Sequence, residues 1–404
     1  MKKDQYLIGV VGAEVNSIEQ RQILEGIVRR AQACCVKISV LSNIYNPLAP
    51  EQADCADNRI YDLIASPVFD ALILLSESVV NPALSRRLYS LLAERTDIPV
   101  LLVGTEPEEF ETGRFPCIGT SDADDFEAIT DHLIGSCGYS QIALLSGPLS
   151  LNISQLRMQG YRKSLEKHSI PFEESLVTEG NFWYNSGEAL AGRYLRGEQP
   201  MPQALICAND YMAFGVLDAF SAAGRDIRES VAVIGYEHIP ERHLHTPLLT
   251  TFRRNRHALG VSAVDMLLRQ LRGEPEQPFV PPKGQIIGGQ TCPGGITGDQ
   301  MHGELTRART GRQYAEWTLK SEMDSRLTAC RNLDEFTQIL GESLFMVRNA
   351  FNIVLCLYED MSLSTFTGTA AGSTIFPRQR TKACSALHTC GSRLQRASAI
   401  TAII

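Results

Sequence analysis

The sequence predicts an α/β protein of two doubly wound parallel-sheet lobes, followed by a C-terminal helix and a partial small α/β domain. Three observations carry the fold class. Over the first 290 residues, short runs rich in Leu, Ile and Val alternate with longer stretches of helical period, the signature of parallel strands joined by crossover helices. The apolar runs are near-continuous rather than alternating, as strands covered on both faces require. The succession of strand and helix also runs through twice, once before about Thr120 and once after it.

The predicted strands are 7–11, 37–41, 71–75, 100–103, 141–145, 204–208 and 231–234. Between the first two, Ile23, Leu24, Ile27, Val28, Ala31 and Cys34 recur at three- and four-residue steps, so one helix face is apolar and covers the sheet. Cys34-Cys35 on that face reads as core. Ligands of open parallel sheets bind beyond the carboxyl ends of the strands, so two such lobes facing each other are expected to hold a site in the cleft between them. The informative residues should therefore follow strands.

Pro281-Pro282, Gly288-Gly289 and Pro293-Gly294-Gly295 end the α/β pattern, and 291–301 reads as a linker. Leu305, Ala308, Ala315, Leu319, Met323, Leu327 and Cys330 then keep a three-or-four spacing, interrupted by Arg312, which predicts an amphipathic helix over 302–332. A second helical pattern at 333–347 and a strand at 352–358 open a partial sensor-like domain over 333–404. The end of the chain, with Pro377-Arg378-Gln379-Arg380, shows no clean periodicity. Because the helix cannot bury its stripe within itself, a homodimer through a short coiled coil is expected, the alternative being docking on its own α/β domain.

With 38 basic and 46 acidic residues, a net charge of −8 and no Lys/Arg-rich arm, the chain offers phosphate backbones no general attraction, and DNA binding by this chain alone is not expected. Nothing approaches the ~20 apolar residues of a membrane span. Eleven cysteines without a paired Cys-x-x-Cys fit reduced cytosolic thiols. The start has basic Lys2 and Lys3, but its apolar run from Leu7 to Ala13 is short and meets Glu14, so a cytoplasmic location is expected rather than export. Cys384, His388 and Cys390 lack a second ligand pair, and no metal is assigned. No Gly-x-Ser-x-Gly elbow, P-loop or His-Glu-x-x-His run is present, so neither catalysis nor a cofactor is expected.

Gln141-Ile142-Ala143-Leu144-Leu145-Ser146-Gly147-Pro148, followed by Leu156-Arg157-Met158-Gln159-Gly160-Tyr161, resembles the regulatory domain of the lac repressor family. Ala208-Asn209-Asp210, Gly235-Tyr236-Glu237 and Pro247-Leu248-Leu249-Thr250-Thr251 follow in the family's order. The resemblance covers about residues 6–290. It implies a periplasmic-binding-protein-like fold with three crossovers, near Thr120, Phe252 and Pro281. Lobe one would comprise 1–120 and 253–280, lobe two 121–252 and 281–290, and the lobes would close on a small effector such as a sugar.

The resemblance further implies that Arg157, Asn209 and Glu237 are polar ligand contacts and that Phe182 and Trp183 supply a stacking wall. The chemistry agrees: a planar guanidinium donates two parallel hydrogen bonds to vicinal hydroxyls, and an aromatic face suits the C–H side of a pyranose. Glu14, just past the first strand, either reaches toward the cleft or opens the next helix as a dipole-favoured acid. The blander readings are a surface ion pair for Arg157, a helix N-cap for Asp210 and a packing role for Trp183.

Departures from the pattern leave the ligand open. Glu237 stands where the family usually has Asp, Tyr139 replaces a His, and Gly104, with Glu106 beyond it, stands where the lac repressor carries an acid. The first strand begins where family members have a helix-turn-helix. The expected function is effector sensing by a transcriptional-regulator-type domain that couples lobe closure to an output. The alternatives are the sensor half of a nucleotide-cyclase-type signalling enzyme and an exported solute receptor.

Overall fold

A computed structural model describes residues 5–15, 17–43, 56–105, 113–293 and 298–318, with the short pieces 335, 338–339, 354–357, 384–388 and 395–397. Glu106, Cys390, residues 319–332 of the predicted amphipathic helix and most of the predicted helix 333–347 lie outside the described residues. The chain divides into two compact units, unit 1 comprising Met1–Gly119, Arg256–Phe279 and Gln313–Ile404, and unit 2 comprising Thr120–Asn255 and Val280–Arg312.

In chain order the helices are α1 Ile18–Ala33, α2 Pro82–Glu94, α3 Asp122–Gly135, α4 Asn152–Lys167, α5 Tyr184–Leu195, α6 Asp210–Ala222, α7 Arg256–Arg272 and α8 Gly298–Thr318. Unit 1 is built on a parallel sheet of β1 Leu7–Ala13, β2 Lys37–Asn43, β3 Ala71–Leu75, β4 Val100–Val103 and β5 Cys117–Ile118, in the order β2-β1-β3-β4-β5. Successive side chains of a strand face opposite ways, so both faces need cover. Ile8, Val10 and Ile73 pack with Ile23 and Ile27 of α1 and Val264 and Leu267 of α7. Val11, Leu72 and Leu74 pack with Leu84, Leu88 and Leu92 of α2. This two-sided burial explains the continuous apolar runs of the sequence.

Unit 2 carries β6 Ile142–Ser146, β7 Val177–Glu179, β8 Ala204–Cys207, β9 Ala232–Tyr236, β10 Thr250–Arg253 and β11 Gln285–Ile287 in the order β11-β10-β9-β8-β6-β7. Only β11 runs antiparallel, against β10. Leu144, Ile206 and Ile234 form one core with Phe126 of α3, Tyr161 of α4, Leu190 of α5 and Phe214 of α6. α5 and α6 cross where each has glycine: a Cβ on Gly187 would lie 1.9 Å from the Met212 carbonyl oxygen, and one on Gly215 2.1 Å from that of Tyr184. A separate antiparallel sheet orders β12 Val354–Leu357, β13 Cys384–His388 and β14 Gln395–Ala397 as β12-β13-β14.

Two local expectations are corrected. Cys34, the C-cap of α1, is half-buried and packs against the unit 1 core as expected, but Cys35 is exposed at φ 57°, because the helix ends at Ala33 and the turn points the second thiol outward. α8 starts at Gly298, inside the stretch read as linker, and Glu304 on it accepts from Arg242 and from His243 Nε2 at 2.7 Å. Among the described residues no helix is long and apolar enough to cross a membrane.

Candidate functional site

Strands β9, β8 and β6 are neighbours in the unit 2 sheet, and the chain leaves their carboxyl ends at Glu237, Ala208 and Gly147. Arg157, on α4, fills the space beside those ends and is 3% exposed. Its Nη1 donates to the Ala208 carbonyl at 2.7 Å and its Nε to Asp122 Oδ1 at 2.8 Å, while Nη2 lies 3.6 Å from Glu237 Oε1. The guanidinium carbon also sits 4.6 Å from the Tyr236 ring centre, 5.5 Å from that of Phe182 and 5.6 Å from that of Phe126, so aromatic faces share in holding its charge.

A second guanidinium completes the arrangement. Arg254, just past β10, donates through Nε to Thr120 Oγ1 at 2.8 Å, with Nη2 3.5 Å from Asp122 Oδ2 and Nη1 3.6 Å from Glu237 Oε1. Arg157 and Arg254 thus alternate with Asp122 and Glu237 around a closed ring of opposite charges. Tyr236 donates its hydroxyl to Asp125 Oδ2 at 2.8 Å. Burial pushes the Asp125 carboxyl up to about 6 against the pull of that hydroxyl and of Arg254. The ring itself is balanced, two cations against two anions, and Asp125 takes a proton only slightly below neutrality.

The loops are fixed from the same end of the sheet. Asn209 caps α6, its Oδ1 accepting from Met212 N at 2.9 Å, and its Nδ2 donates to the Phe182 carbonyl at 2.8 Å. That bond ties the β8 loop to the one carrying Phe182, whose ring covers Gly147 so closely that a Cβ there would lie 2.0 Å from Cζ. Phe182, Glu237 and His238 all have positive φ, at 64°, 107° and 58°, a costly backbone state that persists where the surroundings over-determine it.

The sequence of residues 130–292 matches the family model described as a periplasmic binding protein-like domain. Similar proteins include the HTH-type transcriptional repressor PurR of Haemophilus influenzae, 28% identical over 53% of this chain and 61% of that protein, and PurR of Vibrio atlanticus, 31% identical over 47% and 55%. The chain therefore spans less than two thirds of the length of these relatives. In fold it is similar to the transcription regulator CcpA of Lactococcus lactis, with a TM-score of 0.53 at 24% identity over 71% of this chain and 99% of that one. It is likewise similar to a lac repressor dimer bound to operator and an anti-inducer, with a TM-score of 0.53 at 23% identity over 72% and 95%. Residues 130–292 thus carry a periplasmic binding protein-like domain, and the fold is of the lac repressor type.

Unit 2 brings Arg157, Glu237, Asn209 and Phe182 together at one end of its sheet, with Trp183 following at the start of α5. Trp183 is 68% exposed, so it is not part of the unit 2 core. The cap belongs to Asn209 rather than Asp210, because α6 begins at Asp210. Asp210 is instead buried, accepting from Thr251 Oγ1 at 2.6 Å and Ile239 N at 2.9 Å, and burial pushes its carboxyl up to about 7. Glu14 belongs to unit 1, where it ends β1 at φ 44° and its N–H donates to Asn43 Oδ1 at 3.2 Å. In unit 1 the Glu77 side chain lies against Gly104, where a Cβ would come 2.7 Å from Glu77 Cγ, and accepts from Thr105 Oγ1.

Sequence reasoning does not single out Asp122, Asp125, the Tyr236 hydroxyl that donates to Asp125, or Arg254. Their signal was present in part: Ser121-Asp122-Ala123-Asp124-Asp125 is a capped, acid-rich helix start, and Arg254 directly follows a strand.

Proposed function

We propose that the domain senses a small neutral polar effector, a monosaccharide or close derivative, at the carboxyl ends of β6, β8 and β9, and that binding is coupled to lobe closure and from there to a regulatory output. The charge balance of the ring carries this reading. Arg157 and Arg254 are already offset by Asp122 and Glu237, so a charged ligand would have to bring or displace a counter-charge, whereas hydroxyls exchange for the long Arg to Glu237 approaches at no net charge. The exposed Trp183 offers an aromatic face to a ring's C–H side.

One solved structure of similar fold, with a TM-score of 0.53 at 20% identity, is a complex of the transcriptional regulator CelR with cellobiose, which is consistent with a sugar-class ligand. The relatives are named transcriptional repressors, and with them the function is regulatory rather than enzymatic, cytoplasmic and exercised as a homodimer. Direct DNA recognition is assigned to no part of this chain, whose net charge is −8. Calorimetry of the purified chain against neutral hexoses, pentoses, polyols and nucleosides, with sugar phosphates as the charged counterpart, tests the reading. Binding of a neutral sugar is expected; exclusive binding of a phosphorylated or other charged compound, or of nothing in the panel, overturns it.

A further inference from the structure

We propose that His132, Cys137 and Cys292 of unit 2 form a site for one thiophilic metal ion of the zinc class, separate from the effector site. Two of the three donor spacings already suit it, and the third needs a side-chain adjustment. Cys137 Sγ lies 3.7 Å from His132 Nε2 and 3.9 Å from Cys292 Sγ, and all three atoms fall within 4.8 Å of one another. A tetrahedral ion with bonds of ~2.3 Å to sulfur and ~2.0 Å to nitrogen needs edges of about 3.8 Å between sulfurs and about 3.5 Å between sulfur and nitrogen. The two short edges match those values without movement of the backbone.

The backbone presents the ligands on fixed elements. His132 is in the last turn of α3, and the chain folds back beyond it: Cys137 N donates to the His132 carbonyl, Gly138 takes φ 75°, and Tyr139 N donates to the Leu133 carbonyl. Cys292 arrives from far along the sequence. Its neighbour Thr291 is locked into the sheet, donating through Oγ1 to the Val233 carbonyl at 2.7 Å and accepting from Thr250 N at 2.9 Å. Cys292 is buried, while His132 and Cys137 are half-buried. Burial lowers the His132 pKa, which favours the neutral imidazole that ligates, and raises the Cys292 thiol to about 12, so that metal uptake must release thiol protons.

Three protein ligands leave a fourth position open. Cys292 also lines a cavity of about 480 Å³ with Tyr139, Gln203, Arg228 and Gln290, from which water or a small ligand donor reaches the ion. A pair of buried thiols in simple contact, or a pair poised to form a disulfide, would share the sulfur distance but would not need the imidazole nitrogen at the third corner.

The test uses the full chain, reduced and stripped of metal under argon, titrated with Zn²⁺ against a chromophoric chelator and separately with Co²⁺. One equivalent of Zn²⁺ is expected at sub-micromolar affinity, with Co²⁺ giving thiolate charge-transfer absorption and the intense visible bands of a tetrahedral centre. Cys137→Ser and His132→Gln, each at a half-buried position and checked for an unchanged circular dichroism spectrum, should weaken that equivalent at least tenfold, whereas Cys117→Ser should leave it intact. Absence of a tight equivalent, or uptake that is the same in the Cys137→Ser and parent chains, overturns the site. A Cys137–Cys292 disulfide forming in air, in a chain that takes up no Zn²⁺ when reduced, overturns it in favour of a redox pair.

Discussion

Replacing Arg157 with alanine removes the central strut of unit 2 and, on the proposed function, a ligand donor in one step. The side chain is 3% exposed and holds Asp122 Oδ1, the Ala208 carbonyl and the faces of three aromatic rings. Breaking a buried ion pair from one side costs about 3 to 5 kcal/mol, because the remaining charge loses its partner. Here Arg254, 3.5 Å from Asp122 Oδ2, retains part of that compensation, which places the loss toward 3 kcal/mol. The lost charged hydrogen bond to Ala208 adds about 1.5 to 3 kcal/mol, and the two are not simply additive because they share one group. Urea unfolding of Arg157→Ala should therefore show the unit 2 transition weakened by about 3 to 5 kcal/mol, with effector affinity down more than tenfold. Arg157→Lys keeps the charge but not the planar fork, and should retain the fold with an intermediate stability while still losing affinity. An unfolding free energy for the alanine variant within about 0.5 kcal/mol of the parent, the level of ordinary surface substitutions, would refute the strut.

Asp125 supplies a pH test: its folded carboxyl is held up to about 6 against an ordinary 3.8, so the folded protein keeps a proton that the unfolded chain releases. That contribution is complete below about pH 4 and lost as pH rises to about 6. Asp125→Asn, always neutral and still an acceptor for Tyr236, should gain on the parent across that window by at most ~3 kcal/mol; parallel curves of stability against pH would show the carboxyl is not held up. His238, lowered to about 3 by burial and by Arg242, slopes the opposite way between about pH 3 and 6.5 and is common to both chains, so the difference isolates Asp125. Gly215→Ala places a Cβ 2.1 Å from the Tyr184 carbonyl and should cost at least the ~1 to 3 kcal/mol of overpacking, read by thermal melting; an unshifted melt would show that α5 and α6 are not locked. Truncation at Gly298 removes Glu304 and leaves Arg242, buried, with the Leu249 and Gly288 carbonyls, His238 and the more distant charge of Asp210. Unit 2 should lose about 1 to 3 kcal/mol. Light scattering on the same pair of chains asks whether α8 also supports the dimer, and an unchanged mass from a dimeric parent would assign the helix to internal docking.

The sheet strands were legible because burial on both faces forces runs of Leu, Ile and Val that no surface strand needs. Ala71–Leu75 and Val100–Val103 coincide with the predicted bounds. β5, β7 and β11 span only two or three residues each, too few to print any period, and β11 is held in place by pairing with β10 rather than by its own composition. That Arg157, Asn209 and Glu237 come together was legible because they follow strands or sit in a motif. Asp122 and Arg254 are 132 positions apart in the chain, and nothing local in either marks the other. The same holds for Cys137 and Cys292: a spacing rule for metal ligands searches short intervals, and a sheet can close an interval of 155 residues.

On the proposed function, the ring of charges also constrains how an effector would engage this end of the sheet. Asp122 is held by a 2.8 Å bond from Arg157, so a ligand that displaced it would break a buried ion pair. Glu237 is different: both guanidiniums approach its Oε1 only to 3.6 Å, beyond hydrogen-bond range. A hydroxyl placed there can accept from Arg157 or Arg254 and donate to Glu237, converting a long charge pair into two charge-assisted bonds. Glu237 also holds a φ of 107°, the largest positive value of any non-glycine residue among those described, and an aspartate there would be one methylene shorter. On this reasoning Asp122 and Arg157 serve as the fixed floor of the site and Glu237 as its responsive edge. Glu237→Asp should therefore shift which sugar is preferred while leaving the stability of unit 2 within about 0.5 kcal/mol of the parent, the range of substitutions that leave packing intact. Calorimetry over the sugar panel, paired with urea unfolding, reads both quantities, and a variant with unchanged ligand ranking but a large stability loss would assign Glu237 to the floor instead.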